Sequence, residues 1–220
     1  MRAAAWAALF SIVAAEARAQ VIPGGLSASG AAYNSRLVIR YEGAVAEQTG
    51  TLVGGAGSLR VGPIALTVGG FTGKLTSAEP SAVNPDRSVR ATTVALYLAP
   101  EPVFAVGAEV EARRYETTAG VAWERLVGGS ASLALPLGPA GLRGGVQLDY
   151  LPVASVSGAD SLDRAIRGTF GLAYAPPRVP IVFSVAYRLE RYDFKASGSQ
   201  PARLEQLDGI VIGAGLRLGR

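Results

Sequence analysis

Within Pro180 to Lys195 the chain carries an apolar row at every second position from Ile181 to Leu189. Ile181, Phe183, Val185, Tyr187 and Leu189 fall on one side, and Ser184, Ala186, Arg188 and Glu190 on the other. A period of two is that of a β-strand with unlike faces. The apolar row covers about nine residues, close to what a tilted strand needs to cross the hydrocarbon of a bilayer. A half-buried strand of a soluble sandwich alternates in the same way, so the other segments have to decide.

The period recurs and predicts ten strands. The first, Ala32 to Gly43, sets Tyr33, Leu37, Ile39 and Tyr41 against Asn34, Arg36, Arg40 and Glu42, and the second face is expected to line the interior. The second, Gly50 to Val61, is weakly patterned because Gly54, Gly55, Ala56 and Gly57 interrupt it. Eight strands would remain if both were loops. The third starts at Ile64, Leu66 and Val68 and reaches about Leu75; the fourth, Val89 to Ala99, sets Val94, Leu96 and Leu98 against Thr93 and Tyr97.

The fifth, Val103 to Glu116, opposes Phe104, Val106, Ala108, Val110 and Ala112 to Glu109, Glu111 and Arg113. The sixth, Ala119 to Leu135, is long enough that Gly128-Gly129 marks a bulge or bend. Leu142, Val146, Leu148 and Tyr150 alternate with Arg143, Gly145, Gln147 and Asp149 in the seventh. In the eighth, Phe170, Leu172 and Tyr174 oppose Arg167, Thr169 and Gly171. The Pro180 stretch is the ninth. The tenth, Glu205 to Gly219, carries Ile210, Ile212, Ala214, Leu216 and Leu218 in register.

Tight turns at Gly62-Pro63, Pro100 to Pro102, Gly138 to Gly141 and Pro176 to Pro180 alternate with links expected to be longer and more polar, such as Thr76 to Ser88 and Ala154 to Asp163. That asymmetry, an even strand count and apolar faces of bilayer length predict an all-β fold: a closed antiparallel transmembrane β-barrel. In lipid it must close, because an open edge leaves backbone groups without partners. Closure pairs the first strand near Leu37 and Ile39 with the last near Ile210 and Ile212.

Arg2, the apolar run Ala3 to Ala15 and Ala17-Arg18-Ala19 have the order of a secretory leader cleaved near Ala19. Residues 1–19 are thus expected to be a signal peptide and 20–220 a single barrel domain. Losing Arg2, Glu16 and Arg18 takes the formal charge from +4 to +3. No cysteine is present, so disulfides and thiolate metal sites are excluded. The arginines are scattered through strands, which argues against a nucleic-acid partner.

With this leader and these repeated strands the chain resembles the small outer-membrane β-barrel proteins of Gram-negative bacteria. The resemblance is architectural. It implies residence in the outer membrane, contact with outer-membrane lipid and recognition by the barrel insertion machinery. Members of that class usually end on an aromatic residue, whereas this chain closes Leu216-Arg217-Leu218-Gly219-Arg220. The oligomeric state is left open.

The chain has no histidine, so the usual base of outer-membrane hydrolases is missing. Lys74 and Lys195 sit at strand ends without a nucleophile motif, and no catalysis is expected. Asp86, Asp160 and Asp163 match no calcium-loop spacing, and no metal or cofactor is expected. What remains is the polar interior: Arg36, Arg40, Glu42, Glu109, Glu111, Arg113, Glu124, Arg143, Gln147, Asp149, Arg167, Arg188, Glu190 and Arg217. Mixed signs on neighbouring strands predict salt bridges that plug a narrow lumen. The expected role is structural or in surface interaction. The alternatives are a narrow conduit for small solutes or ions, and a soluble secreted β-barrel that binds a ligand.

Overall fold

A computed structural model describes residues 25–218, apart from 80–83, 102, 119, 139–140, 158–160, 178 and 198–200. The expected leader lies outside the described residues. Ten strands form: β1 (Gly25–Tyr41), β2 (Ala44–Val61), β3 (Ile64–Ser77), β4 (Arg87–Glu101), β5 (Phe104–Thr117), β6 (Gly120–Pro136), β7 (Leu142–Val156), β8 (Ser161–Tyr174), β9 (Ile181–Lys195) and β10 (Arg203–Leu218). Each pairs antiparallel with its chain neighbours, and β1 pairs with β10, which closes the barrel. The eight-strand alternative is therefore overturned.

The glycine-rich second strand is real, and it is six residues longer than expected. Gly50 is required by close approach, since a Cβ there would lie 2.0 Å from the Lys74 carbonyl oxygen of β3. At the turn into β3, Gly62 takes φ +60°, a left-handed conformation that favours glycine. β1 also starts earlier than expected, at Gly25. Its small residues Ser27, Ala28, Ser29 and Gly30 have no strong pattern, yet their backbone is paired on both edges, by β2 and β10. The seam consequently lies five residues from its expected register: Leu37 stands opposite Leu207, and Ile212 opposite Ala32.

At Gly128 the β6–β7 register shifts, as expected of the glycine pair. The extra residue, however, is on β7, where Leu151 and Pro152 face the single Gly128. Proline is tolerated at such a bulge because it has no ladder proton to lose.

Both described termini lie at one end of the barrel, since Leu26 pairs with Leu218. Links 62–63, 102–103, 137–141 and 175–180 are at this terminal end; links 42–43, 78–86, 118–119, 157–160 and 196–202 are at the other, the rim. The expected contrast in loop length is weak, because links 42–43 and 118–119 are as short as any terminal turn. Outside the hydrocarbon a strand can keep its ladder and change only its outward side chains, and the ends of the expected rim loops, such as Thr76, Ser77, Arg87 and Ser88, are in strands.

The outer face shows this change. Leu59, Leu66, Leu96, Val106, Phe170 and Ile212 are large, apolar and exposed, and they continue around the barrel as a belt. Nine residues on tilted strands give a height of about 23 Å, matching the ~25 Å apolar band of outer-membrane barrels. An apolar surface of this extent fits contact with a membrane and tells against the soluble alternative. Toward the rim the outward positions turn polar: Arg36 and Glu47, Lys74, Arg90, Arg114, Arg125, Arg164, Arg191 and Asp193.

Candidate functional site

Inside, the side chains stack in layers. Nearest the terminal end, Ala65, Ala95, Tyr97, Ala99 and Ala105 form a small apolar cluster. Toward the rim, Tyr33, Leu37, Ile39, Leu52, Phe71, Leu75, Val89 and Tyr115 pack with Leu207 and Val211, while Leu126, Leu151, Leu162, Tyr192 and Phe194 form a second group. Strands as distant as β1 and β5 contribute to one cluster, so the contact is made through the interior.

Between these apolar layers lies the charge. Along β5 the inward positions run Ala105, Gly107, Glu109, Glu111, Arg113 and Tyr115, so two-residue spacing places three ionisable groups at mid-lumen. Arg167 of β8 donates to Glu109 at 2.6 Å, to Glu111 at 2.9 Å and to Asp149 at 3.4 Å. Arg113 donates to Glu111 at 2.7 Å and to Glu190 of β9 at 2.7 Å. Arg188 pairs with Glu190 at 2.5 Å. Tyr192 donates its hydroxyl proton to Glu190 as well.

Three guanidinium groups thus meet four carboxylates, all buried. The fourth, Asp149, is supported by neutral donors, Ser130 at 2.5 Å and Gln147 at 2.8 Å. Aromatic faces complete the cations: Arg113 lies 4.8 Å from the Tyr192 ring and 5.3 Å from that of Phe71, and Arg188 lies 5.5 Å from Phe71. Buried charges are tolerable only when they are paired and hydrogen-bonded in this way.

Of the fourteen residues expected inside, Glu109, Glu111, Arg113, Gln147, Asp149, Arg167, Arg188 and Glu190 form this cluster. Glu124 is buried nearer the rim and keeps one carboxylate oxygen without a hydrogen-bond partner. Arg143 and Arg217 point inward at the terminal mouth and are half-buried. The other three are corrections. Arg36 and Arg40 face outward and Glu42 sits in the exposed β1–β2 turn, while Tyr33, Leu37 and Ile39 turn in. On β1 near the rim the outer surface meets water, so Arg36 and Arg40 go out while Tyr33, Leu37 and Ile39 pack inside.

Three interior ions were not expected. Arg87 donates to Glu205 at 3.2 Å, and Arg203 donates to the same carboxylate at 2.8 Å and stacks 3.8 Å over Phe194. Beside them Gln48, wholly buried, donates to Asn84 at 2.9 Å and to the Pro85 carbonyl at 2.8 Å, which ties the β3–β4 link to the mouth. The signal was available, because the period of two continues backwards from Val89 to Arg87 and from Leu207 to Glu205 and Arg203. Of the carboxylates weighed for calcium, Asp86 pairs with Lys74 at 2.9 Å and Asp163 with Lys195 at 2.5 Å, while Asp160 lies outside the described residues.

A closed antiparallel barrel, apolar outside to bilayer height and charged within, has the architecture of a bacterial outer-membrane protein. No known protein family matches the sequence, and no curated protein does. Among solved structures, the translocator domain of the autotransporter NalP from Neisseria meningitidis is similar in fold, with a TM-score of 0.50, 11% identity and coverage of 99% of this chain and 96% of that one. Neisserial surface protein A aligns with a TM-score of 0.39 at 12% identity over 89% of this chain and 98% of its own. The Pseudomonas putida toluene transporter TodX aligns with a TM-score of 0.39 at 10% identity over 90% of each chain. These last two scores mark a looser likeness. The NalP likeness speaks for the fold and carries nothing of that domain's role.

Proposed function

We propose that the protein resides in the outer membrane, after removal of a leader near Ala19, as a barrel with a sealed interior. Its role is structural or in presenting its rim to other molecules, and it is neither an enzyme nor a conduit. One observation carries this reading: the buried Arg113, Arg167 and Arg188 interlock with Glu109, Glu111, Asp149 and Glu190 across the lumen, between apolar layers. A solute crossing that layer would have to part charges that have little water to receive them, at a cost of several kcal/mol for each ion left unpaired. The apolar belt supports residence in lipid, and reaching the membrane requires the insertion machinery as a partner.

Conductance in planar bilayers tests this. The purified barrel is expected to pass no steady current at any salt concentration. Steady current that scales with salt would overturn the sealed interior and establish the conduit.

A further inference from the structure

The rim collar is electrically lopsided. On β1–β2 and on β8–β9 its cations other than Arg40 face acids: Arg36 pairs with Glu47 at 2.8 Å, Arg164 and Arg191 both pair with Asp193 at 2.9 Å, and Lys195 pairs with Asp163. On β4–β6 the arrangement is different. Arg90 and Arg114 stand directly opposite each other in the ladder. Like charges in that relation repel. Arg125 is diagonal to Arg114, because it stands opposite Ala112 while Arg114 stands opposite Trp123.

Among the described residues neither Arg90 nor Arg125 has an acidic partner. Glu116 is the one acid beside them, 3.1 Å from Arg114. The Arg114 side chain is 35% exposed, its Nε has no hydrogen-bond partner, and its guanidinium lies 5.6 Å from the ring of Trp123. Three outward guanidiniums are thus held together at the upper border of the apolar belt with one carboxylate between them. Guanidinium forks match phosphate oxygens in geometry and charge.

Below Arg125, on the side toward β7 and β8, the belt is hollowed. Where the β6–β7 register shifts, Gly129, Leu148, Tyr150, Pro152 and Ile166 line a shallow outer-wall cavity of about 540 Å³. Gly129 is four residues below Arg125 on the same outward row of β6, roughly 13 Å along the strand. A cationic site above and an apolar hollow below, on one wall, fit a molecule with a charged head and a hydrocarbon tail. A free phosphate would have no use for the hollow.

We propose that Arg90, Arg114 and Arg125 bind the phosphate of an anionic lipid in the leaflet at the rim end, with an acyl chain of that lipid lying against the hollow at Gly129. Bound phosphate relieves the repulsion between Arg90 and Arg114, so the lipid also stabilises this part of the wall. The site rests on the reading that the apolar belt faces a bilayer.

Trp123, the only tryptophan among the described residues, touches the site and reports on it. The barrel, freed of the leader that carries Trp6, is reconstituted in phosphatidylcholine vesicles with rising fractions of phosphatidic acid, and bound lipid is counted in parallel by native mass spectrometry. Trp123 emission is expected to change saturably with phosphatidic acid, and one or more phosphatidic acid molecules to stay bound. Arg90→Gln with Arg125→Gln should weaken this about thirtyfold, since each of the two surface cations near a membrane contributes about 1 kcal/mol. Arg191→Gln, already neutralised by Asp193, should not.

A response that does not saturate, or one equal in the double variant, overturns the site, as does an equal response to inorganic phosphate in detergent. Failure of the belt reading looks different: Trp123 would then keep a water-like emission and the protein would not stay with phosphatidylcholine vesicles at all. Both substituted arginines are exposed and unpaired, so the variants are expected to fold.

Discussion

Arg113 on β5 donates a 2.7 Å hydrogen bond to Glu190 on β9, two strands that share no ladder. Both side chains are fully buried. Truncating either takes one partner from a buried charge, leaving Glu190 to Arg188 and Tyr192 or Arg113 to Glu111, and breaking a buried pair in this way typically costs about 3–5 kcal/mol. Arg113→Ala and Glu190→Ala should each lower stability by about that much in urea titrations of the barrel in lipid vesicles. The double variant should cost clearly less than their sum. Simple additivity would show that the two do not act together.

The belt predicts a depth series on β9. Arginine at Val185, in mid-belt, should cost about 2–4 kcal/mol in the same titration, and the penalty should fall toward ~0–1 kcal/mol at Leu189, next to the native Arg191. A flat series would mean that this face meets no hydrocarbon.

The β3–β4 link should loosen in acid. Lys74 donates a hydrogen bond to Asp86, the Ser77 amide donates a second, and together they hold its carboxyl below the usual carboxylate range. A lowered folded pKa means that the tie contributes fully above the ordinary value and is lost as pH falls through the lowered one. Amide exchange at Ser77 should therefore speed up at acid pH, beyond the intrinsic trend. Asp86→Asn should show the faster exchange already at neutral pH; an unchanged Ser77 in that variant would count against the tie.

Because the chain has no cysteine, the seam can be tested with introduced pairs. Ala32→Cys with Ile212→Cys places the two thiols opposite each other across β1–β10, where Cα atoms of paired residues are about 4.5–5.5 Å apart and a disulfide fits. Leu37→Cys with Ile212→Cys should not close, because Leu37 faces the lumen opposite Leu207. Gel mobility with and without reductant distinguishes the pairs, and the opposite result would put the seam in another register.

How far the chain could be read varies with height in the membrane. In mid-belt the faces of β4, β5, β7, β8, β9 and β10 are legible, because hydrocarbon outside and charge inside give residues such as Val94 and Thr93, or Val110 and Glu111, unlike partners. Nearer the rim the same alternation means the reverse. Tyr33, Leu37 and Ile39 fill the interior while Arg36 and Arg40 meet water, and a period of two distinguishes two faces without saying which one is inside. The central ion cluster was legible for this reason and the β1 face was not. Arg87 and Arg203 were hidden in polar stretches resembling loops, although their spacing joins them to the strands that follow, and Glu205 stood at the very start of the expected tenth strand without a visible partner.

The ions at mid-lumen also bear on the mechanics of the barrel. A tube of ten hydrogen-bonded strands resists sliding of one strand along the next, yet small changes in twist between neighbours let its cross-section flatten. Arg113 to Glu190 runs from β5 to β9, and Arg167 to Glu109 from β8 to β5, across that section and not around it. With the apolar cluster on the rim side, which joins β1 to β5 through the interior, these struts hold the separation of the walls. Under the lateral pressure of a bilayer such a barrel is stiff like a solid rod, where a hollow pipe of the same strand count would yield.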